Sequence, residues 1–485
     1  MTLQRRPFMI GLMVAGIQVL LLGQSSNSQT APAPSAGQES ARVAPATALT
    51  AIAGMQIEGD GEEGTSSDLP QIPALLGGKG FATAFLSELQ RSNYLRGGVN
   101  IGATYDDNPL LLSSRTESNT SETIFPNIEI EETTSRMRWT LGYAGGWTIN
   151  QKLTSQNQGS HSVNFDSQFR LSPHVNLRVA ENFSLTTGFF DGGSGGIVPG
   201  SGGPNTSLIT PLATQRSNAT TVETNYHFAL NDLIGGSGSF YDSHYSNIPN
   251  PPAGTPATQL VDSQTASGSA FWLHRILKQD WGGVSYRFDR ITFNPGAGET
   301  RVHSFLAVNT LSLSNHITVS GFVGPQYSEN QGLAVGVASQ ANSWSVAGGA
   351  EAGWRDQKTS VLGGYSRTIS DGGGILGTVR LQNIYANFRR QLVPGWAAAL
   401  NVTHGTNHSL VPVSANSATS INLTSAGVSM ERNVGKSIGF RMGYTHDFQQ
   451  QLNAPCPVQT SSSCDASRNR FFVTLSYQWA RPLGM

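Results

Sequence analysis

An alternation of side-chain character with a period of two residues runs through most of this chain from Tyr94 onward. Between Met137 and Ile149, aromatic and aliphatic residues occupy the odd positions, while polar or small residues occupy the even ones. The same alternation returns near the end of the chain between Phe471 and Trp479. Successive side chains of a β-strand point to opposite faces, so the pattern predicts an all-β chain whose strands each have one apolar face.

The length of these runs and the nature of their polar face decide between two kinds of β-protein. The runs extend over about 10–16 residues, whereas strands of soluble sheets average ~5–6. The polar positions carry Gly, Ser, Thr and Asn with isolated charges, and only 13% of all residues are charged. A soluble β-sandwich also alternates, but its exposed face is normally charged. We therefore predict a transmembrane, antiparallel, up-and-down β-barrel with its apolar face toward lipid.

The spacing of the connections supports this architecture. Brief turns such as Glu132-Thr133 and Asn231-Asp232 alternate with long connections such as 191–215 and 449–467. Short periplasmic turns and long extracellular loops are typical of outer-membrane barrels. The pattern predicts about 18 strands, with 16 as the alternative count, and places both ends of the barrel in the periplasm.

The N-terminal region has the composition of a segment that directs export. Residues 1–28 combine Arg5 and Arg6 with an apolar stretch and small residues, and they predict a cleaved signal peptide; an uncleaved anchor helix is the alternative. Residues 29–93 are rich in Ala, Pro and Ser and predict a periplasmic linker with a short amphipathic helix near 81–90. A helix inside the barrel lumen is the alternative for that segment. The barrel domain is then 94–485, in the outer membrane of a Gram-negative-type bacterium after secretion across the inner membrane.

The eight tryptophans all fall in predicted strands, several of them near strand ends. This placement is typical of the aromatic girdles at the two membrane interfaces. The alternative is that they are ordinary core residues of a soluble β-protein. The last strand also has the aromatic alternation of a signal for the barrel assembly machinery, which we expect as a partner alongside outer-membrane lipid.

No motif for catalysis or a cofactor stands out. The chain lacks G-x-S-x-G, H-E-x-x-H and a phosphate-binding loop, so we predict no enzyme, no catalytic residue and no cofactor. The run Asp106-Asp107-Asn108 lacks the spaced carboxylates of a calcium loop, and we predict no metal site. A net charge of −1 argues against a nucleic-acid partner.

Cys456 and Cys464 are the two cysteines of the chain and lie in a polar stretch. In an oxidising compartment they are candidates for a small disulfide. A metal-binding pair is the weaker alternative, because no His or carboxylate pattern completes a site.

Charged residues on the polar positions of the strands are expected to face the lumen. Fixed charges inside a pore set ion preference and orient polar solutes. The alternative is that opposite charges pair and fill the lumen. The candidate pore-lining residues are Arg138, Asp166, Arg170, Glu223, Arg287, Asp289, Glu351, Arg441 and Arg470.

The segment Gly97–Pro109, GGVNIGATYDDNP, resembles the first strand of outer-membrane β-barrel porins of the exopolysaccharide-associated type. The Ala/Pro-rich lead-in followed by a barrel is similar as well. The resemblance extends over about residues 94–479 and implies a barrel that passes or exports polar solutes or polysaccharide.

Three functions follow from these observations. The first is a porin-like channel for small polar solutes, with polysaccharide as another cargo. The second is a structural or ligand-binding envelope barrel with a filled lumen and functional extracellular loops, where a glycan is a partner. The third is an outer-membrane hydrolase.

Overall fold

The computed structural model describes residues 93–109, 117–154, 157–188, 213–246, 260–294, 298–331, 342–410, 420–435, 437–452 and 463–483. None of the described residues belongs to a helix with the length and hydropathy of a membrane span. The predicted signal peptide (1–28) and nearly all of the predicted linker (29–93), with its helix, lie outside the described residues, so these domain assignments stay predictions.

The described residues form 18 antiparallel β-strands. They are β1 (Tyr94–Asp106), β2 (Asn119–Thr133), β3 (Met137–Asn150), β4 (Gln158–Arg170), β5 (Val175–Gly188), β6 (Ala213–Ala229), β7 (Asp232–Ser246), β8 (Asp262–Leu277), β9 (Asp280–Asn294), β10 (Gly298–Ser314), β11 (Ile317–Gln331), β12 (Ser343–Arg355), β13 (Thr359–Gly372), β14 (Leu376–Val393), β15 (Trp396–Ser409), β16 (Ser420–Val434), β17 (Ile438–Leu452) and β18 (Ser463–Pro482).

Each strand pairs with its neighbours in sequence, and β1 pairs with β18 from Tyr94↔Pro482 to Asp106↔Arg470. The sheet therefore closes on itself, which confirms the predicted up-and-down barrel and the count of 18 rather than 16. Closure pairs every strand with both of its neighbours. This matters because hydrocarbon cannot hydrogen-bond a free sheet edge.

The residues of the Tyr-Asp-Asp-Asn run fasten the β1–β18 seam. Asn469 donates from its backbone and side-chain amides to the carboxylate of Asp107, at 2.7 and 2.6 Å. Asn108 Nδ2 donates to the carbonyl of Ser467 at 2.9 Å. Hydrogen bonds to an ionised acceptor are among the strongest in proteins. This run thus ties the first strand to the last.

The two ends of the barrel differ in their connections. At the end where β1 begins and β18 finishes, the turns have two to four residues, as in 230–231 and 315–316. At the other end most connections are longer, up to the 24 residues of 189–212, although 295–297 and 373–375 are brief. We refer to these as the short-turn end and the long-loop end. The predicted alternation of brief and long connections is confirmed.

The two faces of the wall also differ. Large apolar side chains are exposed on the outward face, including Trp344 (69%), Trp147 (58%) and Val346 (54%). Outward tryptophans cluster near both ends: Trp147 and Trp344 at the long-loop end, and Trp354 and Trp479 among those at the short-turn end. Trp281 differs from the girdle prediction. It is buried (4%) on the inward face, because its position in β9 has the parity of the lumen-facing residues.

Candidate functional site: the barrel interior

Polar and charged side chains cover much of the inward face of the barrel. Many are buried, for example Glu223, Arg287 and Thr300. A buried charge is stable only where it is paired and hydrogen-bonded. The interior is therefore organised into local networks of opposite charges.

Arg178 on β5 connects two carboxylates on the neighbouring strands. Its guanidinium bonds the carboxylate of Asp166 on β4 and lies 3.4 Å from Glu223 Oε2 on β6. Arg178 and Glu223 are nearly fully buried, while Asp166 is about one-third exposed. Asp166 and Glu223, predicted as separate lining residues, thus share one arginine.

A second network lies on β1–β3 at the short-turn end. Arg96 Nη1 is 2.9 Å from Glu129 and 2.7 Å from Glu131, and Arg138 Nη2 is 2.8 Å from Glu131. The glutamates are buried, whereas 41% of the Arg96 side chain and 46% of the Arg138 side chain remain exposed. Two exposed cations here cover two buried carboxylates.

A third pair lies within one strand. Arg287 and Asp289 are two residues apart on β9 and therefore share the inward face. Arg287 Nη2 is 2.5 Å from Asp289 Oδ1, and Ser267 on β8 donates to the same oxygen at 2.6 Å. Both charged side chains are at most one-tenth exposed.

The last two strands carry a fourth network at the long-loop end. Asp447 on β17 accepts from Arg468 at 3.0 Å and from Arg470 at 2.8 Å, and Ser425 on β16 donates to it at 2.7 Å. Arg468 and Asp447 are 3% exposed. One carboxylate thus faces two guanidiniums beside the β1–β18 seam.

The remaining predicted residues have different surroundings. Tyr385 on β14 reaches across Gly364 of β13 and donates to Glu351 on β12. Arg441 on β17 lies 3.4 Å from Ser429 Oγ and stacks on Phe472. Arg170 is the exposed last residue of β4, away from the buried networks. The structure therefore places six of the nine predicted residues in four separate networks and does not gather the nine at one point.

Part of the inward face is apolar. Leu233, Phe271 and Trp281 belong to a buried cluster on β7–β10 and β12, towards the short-turn end, which we call the inner apolar patch. Its members are Leu233, Phe271, Leu273, Trp281, Leu306, Val308 and Ala347. Strict alternation of apolar-out and polar-in residues does not predict such a patch.

The β13–β14 hairpin leaves the wall at the long-loop end. Pairing between β12 and β13 stops at Gly348↔Arg367, whereas β13 remains paired with β14 as far as Gly372↔Leu376. The connection includes Gly373 and Gly374, whose φ angles of 59° and 83° favour glycine. We call residues 368–379 the infolded hairpin.

The infolded hairpin contacts strands that are not its neighbours in the wall. Asp371 accepts from Ser263 on β8 at 3.0 Å, and Thr378 Oγ1 is 2.7 Å from Thr300 Oγ1 on β10. Ser263 and Thr300 are buried inward residues. On another side, Leu376 and Val379 pack on Ile421 of β16. The hairpin therefore extends into the lumen and narrows it.

Several of these features were absent from the sequence prediction. Asp447 shares the parity of the predicted Arg441 on β17, whereas Glu129 and Glu131 on β2 and Arg178 on β5 alternate with apolar residues of their own strands. Counting alternate positions along each strand would have found all four. The infolding of 368–379 has no comparable signal, because it depends on contacts between distant strands. The run Gly372-Gly373-Gly374 is the one local hint of a tight reversal.

The described residues hold no group of three or more His, Cys, Asp or Glu side chains placed to bind a metal. Cys456 and the side chain of Cys464 lie outside the described part of the chain. The Cys456–Cys464 disulfide therefore stays a prediction.

Comparison with known proteins gives a structural likeness only. No family model matches the chain, and no curated protein matches it. The outer membrane protein OpdK of Pseudomonas aeruginosa is similar with a TM-score of 0.41 and 11% identity, over 79% of this chain and 99% of that one. OprD of the same organism scores 0.40 at 10% identity, over 82% and 98% of the two chains.

The ferric citrate transporter FecA scores 0.40 at 7% identity, over 81% of this chain and 80% of that one. The function of this barrel must be inferred from its own residues.

Proposed function

We propose that this protein is an outer-membrane channel that lets small polar solutes pass by diffusion, without chemical conversion. The observation that carries the proposal is the closed 18-strand wall with an apolar outward face and a polar, charged inward face. Barrels of 16–18 strands are wide enough to leave an aqueous channel. A lumen rich in Arg, Asp and Glu favours water over lipid.

The outward face supports insertion into a membrane. On β12, Trp344 and Trp354 lie ten positions apart on the outward face, with Val346 between them. Ten residues at ~3.3 Å, on a strand tilted by ~40°, span about 25 Å, the height of the apolar band of such barrels. Short turns face the periplasm in these proteins, so the long-loop end faces the exterior.

The infolded hairpin defines the course of the passage. Its contacts among the described residues are with β7, β8, β10 and β15–β16. The charge networks of Arg96 and Arg178 lie on the other side of the lumen, along β1–β6. We infer that solutes pass along this charged side, and that paired charges of both signs favour neutral or zwitterionic polar solutes over strongly charged ones.

A conductance measurement with purified protein in planar lipid bilayers tests the proposal. We expect discrete current steps in salt, and proteoliposomes that swell in monosaccharide and more slowly in longer oligosaccharides. Swelling in long oligosaccharides at the same rate would favour polysaccharide as the cargo. Protein that is folded but gives neither steps nor swelling would refute the channel.

The second candidate is a barrel with a filled lumen whose loops bind ligands. The inner apolar patch favours it, since Leu233, Leu306 and Val308 face the interior yet are at most 3% exposed. This alternative predicts a folded barrel without conductance that retains glycan binding through its long loops. Glycan arrays with the same purified protein distinguish it from the channel.

A further inference from the structure

Three basic side chains share the outward face at the long-loop end of β13–β15. Arg380 on β14 is the register partner of His408 on β15. Arg367 on β13 pairs with Gln382, two positions from Arg380 on the same face. Ile384, on that face of β14 as well, is 54% exposed, so these side chains point away from the lumen.

Arg367 and Arg380 have no counter-charge among the described residues. Neither guanidinium forms an ion pair or hydrogen bond there, and the Nε atom of each is buried without a partner. By contrast, Arg290 and Arg301, outward at the same end, both contact Glu299 at 2.6 Å. Neighbouring like charges on one sheet face repel each other, so an external anion would stabilise this pair.

The wall next to Arg367 is notched. The pairing of β12 with β13 ends at Gly348↔Arg367. From there toward the long-loop end, β12 is paired only with β11, as far as Ser328↔Ser343, and β13 is paired only with β14. Residues 343–347 of β12 and residues 368–372 of β13 are therefore not paired with each other. The infolded hairpin causes this gap, and Arg367 lies at its base.

The depth of the cluster corresponds to a lipid headgroup. Arg380 and Arg390 lie ten positions apart on the outward face of β14, with Ile384 and Phe388 between them. By the same rise and tilt, that separation spans about 25 Å, the height of the apolar band. Arg380 then lies at the boundary on the long-loop side.

We propose that Arg367, Arg380 and His408 form a binding site for the phosphate groups of a phosphorylated glycolipid in the leaflet on the long-loop side. Arginine forks bind phosphate through two parallel hydrogen bonds. Gln382 and Thr406, register partners on the same face, offer amide and hydroxyl groups to the sugar. The site rests on the membrane insertion of the proposed function but not on conductance.

The test measures binding of bisphosphorylated lipid A to the full-length protein refolded in detergent. We expect the double variant Arg367→Gln/Arg380→Gln to bind at least about tenfold more weakly, since each lost charged hydrogen bond costs about that factor. Dephosphorylated lipid A should bind the wild-type protein as weakly as bisphosphorylated lipid A binds the double variant. Arg390→Gln, on the same strand and face at the opposite end, is the matched control and should retain wild-type affinity.

Two results would overturn the site. One is a double variant that binds bisphosphorylated lipid A with wild-type affinity. The other is a wild-type protein that binds dephosphorylated lipid A as tightly as bisphosphorylated lipid A. The site would also be overturned if inorganic phosphate, at the same concentration as lipid A, displaced the lipid, because free phosphate would then be the ligand. Heat-dependent electrophoretic mobility shows that each variant is folded. Because conductance is measured separately, a protein that binds the lipid but does not conduct refutes the channel and leaves this site intact.

Discussion

At the residue scale, the interior is stabilised by arginines that each satisfy more than one group. Arg178 is the clearest case, since it contacts carboxylates on both neighbouring strands while its side chain is only 7% exposed. Water screens exposed ion pairs, which contribute little, whereas removal of one partner from a buried network leaves uncompensated charge. Burial therefore determines which of the inward charges are structural.

We expect Arg178→Met to lower the free energy of unfolding by about 3–5 kcal/mol, because Asp166 and Glu223 lose their common cation. Arg301→Met is the control, and it should lower the free energy of unfolding by less than about 1 kcal/mol. The Arg301 side chain is 39% exposed, and Glu299 remains paired with Arg290 when Arg301 is replaced. Urea unfolding in detergent micelles, followed by tryptophan fluorescence, measures both. Equal stability of the two variants would show that the Arg178 network is not structural.

At the element scale, the strands could be predicted but the infolded hairpin could not. Period two and the spacing of turns identified 18 strands, and the predicted first strand, 94–106, has the same bounds as β1. The predicted strand 395–405 stops short of the Ser409 end of β15, and the predicted last strand 468–479 is shorter than Ser463–Pro482. The extra residues were missed because they alternate weakly and depend on pairing with neighbouring strands. The hairpin and the inner apolar patch arise from contacts between distant strands, which local patterns do not contain.

The hairpin position is testable by a disulfide. In a background with Cys456 and Cys464 replaced by Ser, we expect Thr300→Cys/Thr378→Cys to form a disulfide on mild oxidation, because the two Oγ1 atoms are 2.7 Å apart. Resistance to alkylation and the mass of the intact chain provide the readout. Thr378→Cys with Thr148→Cys, on the distant strand β3, is the control pair. Cross-linking no faster than in this control would place the hairpin elsewhere.

At the scale of the whole molecule, closure explains the composition of the chain. In the proposed membrane barrel every strand has one face toward lipid, where a charge at mid-depth costs ~2–4 kcal/mol, and only 13% of residues are charged. The remaining charges concentrate inside, where they pair across strands. A closed wall, a polar interior and the infolded hairpin together enclose a lumen that is narrowed on one side.

The reversal potential across a planar bilayer under a salt gradient tests most directly whether the inward charges line a water-filled passage. We expect Arg441→Glu, on the inward face of β17, to conduct in discrete steps and to shift the reversal potential toward cation preference. Arg432 is an outward residue that stacks on Trp396 of the neighbouring strand, and Arg432→Glu should leave the reversal potential unchanged. Absence of current steps, or an unchanged reversal potential in Arg441→Glu, would contradict the channel.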